Sequence, residues 1–212
     1  TGTLTRDWAS AMAHADGRAR NGKQLEGLDR VCTAVDPETE VLTISVTETG
    51  NAHRFDLTTQ IEAAGEWRGE FTGEPLELRR REPPAFVDRP ALGPSVISTG
   101  TLETVASWFD GMTAEDARRR LRPNLEIGGV PAFWEDRFLG DGPSCFELGG
   151  VDFEGAKACA RCVIPTRNPD TGEPIDGFRQ RFVERREATL PAWVDEGALQ
   201  HFYTAMIITE VS

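Results

Sequence analysis

The segment Val41-Leu42-Thr43-Ile44-Ser45-Val46 constrains the fold more than any other in the chain. Val41, Thr43 and Ser45 alternate with Leu42, Ile44 and Val46, and a period of two belongs to a strand with one buried face, not to a helix. Turn chemistry stands on both sides, Asp36-Pro37-Glu38 before it and Thr49-Gly50-Asn51 after it. Proline presets φ, and Asn and Asp side chains bond their own backbone, so both stretches reverse the chain. Two further extended runs flank those turns, Val31 to Val35 and His53-Arg54-Phe55-Asp56-Leu57. Three strands joined by tight turns predict an antiparallel meander.

The rest of the chain reads in the same terms. An apolar-rich run from Trp8 to His14 is followed by turn signals at Ala15-Asp16-Gly17 and Asn21-Gly22. Between Thr59 and Thr72 the spacing of Ile61, Ala64, Trp67 and Phe71 changes to three and four, which predicts a short amphipathic helix despite Gly65 and Gly69. Leu76-Glu77-Leu78 returns to strand, and Pro83-Pro84 marks the expected seam between residues 1–84 and residues 85–212. Past it, Ser95–Ser98 reads as a strand entering a helix that aligns Leu102, Val105, Ala106 and Phe109, with Thr99 or Thr101 as N-cap. A capping-box-like Thr113-Ala114-Glu115-Asp116 opens a second helix, which must end by Pro123. Leu125 to Ile127, and then Phe146-Glu147-Leu148 and Val151-Asp152-Phe153 around Gly149-Gly150, read as strands. Phe178, Phe182 and Val183 share one side of a predicted helix, and Thr204 to Val211 reads as a buried closing strand. The class is therefore α+β, mainly β.

With 212 residues and 39% hydrophobic content the chain can bury a sizeable core. No run approaches the ~18 apolar residues of a membrane span, and no signal-peptide pattern is present, so a cytoplasmic protein away from membranes is expected. Four irregularly spaced cysteines do not form a secreted disulfide framework. A formal charge of −12 and a pI near 4.8 argue against nucleic acid as a partner. Arginine supplies every basic residue except Lys23 and Lys157, which hints at a salt-rich cytoplasm or a GC-rich genome.

Reactive chemistry concentrates in ACARCVIPTRNPDTGE, residues 158–173. Cys159 and Cys162 are followed by an apolar pair and Pro165, read as extended chain and then turn, and Asn168-Pro169-Asp170-Thr171-Gly172 is a tight turn. Three readings of the cysteine pair compete. A structural zinc site needs a second ligand pair, which Cys32, Cys145, His14, His53 and His201 do not form; Cys32 and Cys145 read as small core hydrophobes. A thioredoxin-like dithiol needs a helix N-terminus, which Val163-Ile164-Pro165 does not open. The third is a single working thiolate, carrying sulfur or ligating a thiophilic metal. Elsewhere, Arg118, Arg119, Arg120 and Arg122 form either an anion-binding set or a face balanced by Glu115 and Asp116. Glu135 and Asp136 read as a structural turn in preference to an acid–base pair, and Arg179, Arg181, Arg185 and Arg186 either border a pocket or pair with Glu184 and Glu187.

Taken with Arg122-Pro123-Asn124-Leu125, the run C-x-R-C-V-I-x-T-x-x-P-D-T-G-E resembles the MOSC domain. That domain occurs in the C-terminal part of eukaryotic molybdenum cofactor sulfurases and in the mitochondrial amidoxime-reducing component. Phe133-Trp134-Glu135-Asp136 with Phe138 matches a further family run. The resemblance implies a β-rich MOSC-associated part packed on a β-barrel-like MOSC unit with short peripheral helices. It also implies molybdenum cofactor, the Mo-molybdopterin, as the group bound. Cys162, the second cysteine, is then the functional thiolate and molybdenum ligand, and Cys159 supports it. Arg122 and Asn124 match the residues that contact the pterin, Leu92 and Gly93 lie in a loop that touches it, and Arg6 in Thr5-Arg6-Asp7-Trp8 matches a short segment contributed by the N-terminal part. The family's lysine-bearing first strand has no counterpart before Thr1, so a chain truncated at its start is expected, and Pro165 and Asn168 replace the usual Thr and Asp. Two roles follow from the resemblance: a molybdenum-dependent reductase of N-hydroxylated small molecules, or a persulfide carrier to the cofactor. The alternative is a non-catalytic cofactor-binding module. A reductase requires a separate electron donor of ferredoxin, flavoprotein or cytochrome type; a carrier requires a cysteine desulfurase.

Overall fold

In a computed structural model of the chain the described residues are 10–13, 25, 27–36, 38–47, 49–80, 92–141 and 144–211. The chain divides into two compact units, Thr1–Pro90 with Asp170–Gly172, and Ala91–Pro169 with Glu173–Ser212. Arg6, the turn signals at 15–17 and 21–22, and the Pro83-Pro84 seam lie outside the described residues.

The first unit holds strands β1 (Ser10–Ala13), β2 (Val31–Asp36), β3 (Val41–Val46) and β4 (Ala52–Asp56), helix α1 (Ile61–Thr72) and strand β5 (Glu77–Arg80). The predicted meander forms: β3 pairs antiparallel with β2 and β4, Ile44 standing opposite Thr33 and His53. Its alternation is realised, since Leu42, Ile44 and Val46 are buried while Val41, Thr43 and Ser45 are half-buried. Leu42 and Ile44 pack with Leu25, Leu57, Ala64 and Leu78, and burying a side chain of this size stabilises by ~1.5–3 kcal/mol. The register also corrects the reading of Cys32, which is exposed because it lies opposite Ser45 on the outer face. The two glycines of α1 have a packing cause. A Cβ on Gly65 would stand 2.8 Å from Leu78 N, and one on Gly69 would stand 2.9 Å from Glu74 O. Each glycine costs the helix about 1 kcal/mol against alanine, and both are needed for its backbone to lie against the segment leading into β5.

The second unit holds β6 (Ser95–Ser98), α2 (Thr99–Ser107), α3 (Ala114–Leu121), β7 (Leu125–Ile127), β8 (Cys145–Leu148), β9 (Val151–Ala160), α4 (Phe178–Ala188), α5 (Glu196–Leu199) and β10 (Thr204–Val211). They form a mixed five-stranded sheet in the order β7-β6-β10-β9-β8, in which only β6 and β7 run parallel. β10 is central, and its first four residues are all buried. One cluster joins Ile97 and Ala205 to Leu102, Phe178 and Phe182, so α2 and α4 cover that face. Another joins Val96 and Ile207 to Phe138, Leu139 and Leu199 on the opposite face. The chain is thus α+β and mainly β, as read from its sequence.

Local chemistry explains the element ends. β6 runs straight into α2, so the N-cap is Ser98, whose Oγ accepts from Thr101 N at 3.1 Å; the expected cap at Thr99 or Thr101 moves back to the last strand residue. Thr113 and Asp116 form the predicted capping box of α3. Cys145 is exposed on β8, an edge strand of the sheet, and is no core residue either. β10 carries two compensating slips against β9: Thr204 faces Ala160, Ile207 faces Ala158, and Thr209 faces Gly155. Met206 takes up the first slip with a φ of 65°.

Candidate functional site

β9 delivers the cysteines. Arg161 N donates to Tyr203 O at 3.0 Å, continuing the β9–β10 pairing one residue past Ala160. In extended chain, residues two apart share a side, and Arg161 Nη1 accordingly donates to Cys159 Sγ at 3.0 Å and reaches Met206 Sδ at 3.6 Å. Cys159 lies within β9, whereas Cys162 lies two residues past its end. Both are free and half-buried. Cys162 sits where extended chain gives way to a single 3-10 turn, Ile164–Thr166, with proline in its first positions. That turn is too short to supply the helix N-terminus of a redox dithiol.

The second motif arrives from α3. Arg161 Nη2 donates to Leu121 O at 2.7 Å, tying the cysteine segment to the last helical residue before Arg122-Pro123-Asn124. Arg122 ends the helix in the left-handed region, φ 54° and ψ 56°, with its side chain exposed and without a partner among the described residues. Asn124 Oδ1 accepts from Ser95 N at 2.9 Å and Ser95 Oγ at 3.0 Å, leaving its amide nitrogen without a partner among the described residues. Leu92 and Gly93 lie immediately before that strand. Gly93 N donates to Thr209 O at 2.6 Å, and a Cβ at Gly93 would stand 2.9 Å from the same oxygen, so packing on β10 fixes this glycine. The remaining α3 arginines have structural work. Arg118 bonds Glu126 at 2.6 Å and pairs with Glu115. Arg119 bonds Pro169 O at 3.2 Å, and the buried Arg120 bonds Pro165 O at 3.1 Å as well as Arg167 O. Both therefore hold the loop that follows Cys162, whose turn closes through Asn168 N to Glu173 O at 2.7 Å.

Two residues that sequence reasoning left without a role join this site. Arg161 is the linchpin just described, and its place on the Cys159 side follows from strand period. Tyr203, the only tyrosine of the chain, donates its hydroxyl to Cys162 O at 3.2 Å. Burial pushes its phenol up to about 12, with Arg161 and Arg179 pulling against that and Cys162 adding to it, so it remains a donor across the physiological range. Arg179 lies over its ring at 5.3 Å.

A second charged cluster lies apart from the cysteines. Glu135 and Asp136 sit in the 3-10 segment Trp134–Phe138, buried, and Asp136 pairs with the wholly buried Arg186. That overturns the surface or pocket-mouth reading of Arg186, and it gives the expected structural role of the Glu-Asp pair a physical form. Burial raises both carboxyls, Asp136 to about 7 with Arg186 opposing and the Glu135 charge adding. Burial dominates at both carboxyls while Asp136 also faces the Arg186 guanidinium, so the two titrate as a coupled pair.

Among the described residues no group of three or more His, Cys, Asp or Glu could hold a metal ion. A metal bound by Cys162 would need its remaining donors from a cofactor. The side chains present fit the molybdenum cofactor: a soft thiol, the buried Nε of Arg161 with no hydrogen-bond partner, an exposed guanidinium on Arg122 and the amide nitrogen of Asn124. No helix among the described residues is long and apolar enough to cross a membrane. A family model described as the MOSC domain matches residues 91–199. No curated protein matches the chain.

Proposed function

Because the chain belongs to the MOSC domain family, a molybdenum cofactor-associated one, we propose that it binds molybdenum cofactor with Cys162 as the protein's ligand to the metal and reduces N-hydroxylated small molecules. The observation that carries this reading is the bond from Arg161 to Leu121 O, which joins the cysteine segment to the Arg122-Pro123-Asn124 segment. When bound, the cofactor supplies the two-electron chemistry. Cys162 supplies a thiolate whose backbone is held by Tyr203. Arg122 and Asn124 hold the pterin and its phosphate through charge-assisted and neutral N–H donors, with Leu92 and Gly93 contributing to the pocket. Arg161 keeps Cys159 and the end of α3 in place and offsets the negative charge gathered there. Electrons come from a separate ferredoxin, flavoprotein or cytochrome.

A second reading, sulfur carriage on Cys162 loaded by a cysteine desulfurase, draws support from access. Val163 beside the thiol is 49% exposed, and an incoming sulfur donor needs such an approach. The deciding measurement is molybdenum, zinc and cyanide-labile sulfur in the protein and its Cys162→Ser variant, both made in a host that synthesises the cofactor. Near-stoichiometric molybdenum that is lost in the variant, with turnover of an amidoxime, is expected. Labile sulfur on Cys162 without molybdenum selects the carrier, and molybdenum without turnover selects a binding module. Zinc in place of molybdenum overturns all three.

A further inference from the structure

The second unit contains a cavity of about 270 Å³ where the chain leaves α2 and enters α3. Its apolar lining is Phe109, Met112 and Ile175. Phe109 is rigidly placed, stacked on Phe178 at 4.3 Å. Two of the charged lining groups are already committed: Asp116 Oδ2 accepts from Thr113 N at 3.0 Å, and Arg120 is tied to the carbonyls of Pro165 and Arg167.

Asp110 and Arg181 differ from them. Both line the same cavity, both are exposed, and neither forms an ion pair or a side-chain hydrogen bond with any described residue, including each other. Arg181 lies 5.9 Å over the Phe109 ring, which is otherwise buried and stacked on Phe178, so the apolar lining open to a ligand is Met112 and Ile175. A carboxylate and a guanidinium without partners among the described residues, beside apolar side chains, complement a ligand that carries both charges and an apolar group. A phosphate or a dicarboxylate would leave Asp110 repelling it, and a diamine would do the same to Arg181. The volume falls just under the ~300–1,000 Å³ of drug-sized sites, which suits a small metabolite.

We propose that this cavity binds a free α-amino acid with an apolar or thioether side chain, its carboxylate on Arg181, its ammonium on Asp110 and its side chain on Met112 and Ile175. The guanidinium fork matches a carboxylate through two parallel N–H bonds. Arg120 and Asn168 of the lining also brace the loop after Cys162, but the ligand contacts proposed here use none of the residues proposed to hold the cofactor, so the site stands whether or not the chain binds molybdenum.

The test is calorimetric titration of the protein with L-methionine, L-leucine and L-phenylalanine, alongside 3-(methylthio)propylamine and 4-(methylthio)butanoate, each of which lacks one charge. Saturable binding of at least one amino acid is expected. Deleting one charge on either side, in the ligand or by Asp110→Asn or Arg181→Gln, should weaken it at least about tenfold. Both positions are exposed, and an unchanged melting temperature in each variant ties any loss to the site. Absence of binding by all three amino acids up to about 10 mM would overturn the proposal. So would equal binding of methionine and its amine, or wild-type affinity in both variants.

Discussion

Two arginines of the second unit, Arg186 and Arg161, are both drawn in from solvent but kept there by opposite means. Arg186 is wholly buried, lies 3.8 Å over the Phe133 ring and faces a carboxylate, Asp136. Arg161 is half-buried and faces no carboxylate among the described residues; its bonds go to a backbone carbonyl and two sulfurs. The first charge is cancelled inside the protein and contributes to architecture. The second is held on the Cys159 side of the segment that ends in Cys162, without a counter-ion among the described residues, where an anionic ligand can answer it. A buried cation without a counter-ion costs free energy in the empty protein, so its presence is a better pointer to a binding site than the number of arginines nearby.

Changing Asp136 should produce the largest effect. Asp136→Asn leaves Arg186 uncompensated, and breaking a buried pair from one side costs about 3–5 kcal/mol; urea titration should show the midpoint fall by that equivalent. Next comes the titration of the Glu135–Asp136 pair. Burial lifts both carboxyls above their unfolded values, so the folded chain holds protons more tightly, and the stability they contribute is complete below pH ~4. It is lost as pH rises toward the folded value, about 7 for Asp136. Stability should therefore fall with pH across that window by at most about 1.4 kcal/mol per unit for each group, and Glu135→Gln should flatten the curve in denaturant melts taken from pH 4 to 8.

Arg161→Leu should cost only about 1 kcal/mol, the net worth of its lost hydrogen bonds, yet strip bound molybdenum at least about tenfold by metal analysis. Equal losses of stability at Arg161 and Arg186 would erase the distinction between them. Smallest of all is Arg118→Ala, which removes a partly exposed pairing with Glu115 and Glu126 and should shift stability by about 0.5 kcal/mol.

Strand periodicity and turn chemistry made much of this arrangement legible in advance. The meander, the hairpin at Gly149-Gly150, the capping box at Thr113 and the closing strand all follow from local rules that tertiary packing did not override. Arg186 was legible too, through a signal that charge concealed: Phe178, Phe182 and Arg186 fall at i, i+4 and i+8, one stripe of α4, and all three are buried. Cys32 needed pairing register, because nothing in β2 alone says that it stands opposite Ser45. Around Cys162, strand period assigns Arg161 to the Cys159 side, but the bond to Leu121 O spans forty positions of chain and no local pattern encodes it.

The paired slips along β10 and β9 make the two strands behave like a reading frame. Three steps along β10 from Thr204 to Ile207 answer two along β9, and two steps along β9 from Lys157 to Gly155 answer one along β10, so the partners leave the region in the phase in which they entered. Removing Met206 alone would leave the surplus of β9 unmatched and push one end of the ladder, carrying either Tyr203 or Val211, out of phase by one residue. Removing Met206 and Ala156 together would bring both ends back into phase. The irregularity beside Cys162 is thus half of a matched pair, and the chain can lose both halves more safely than one.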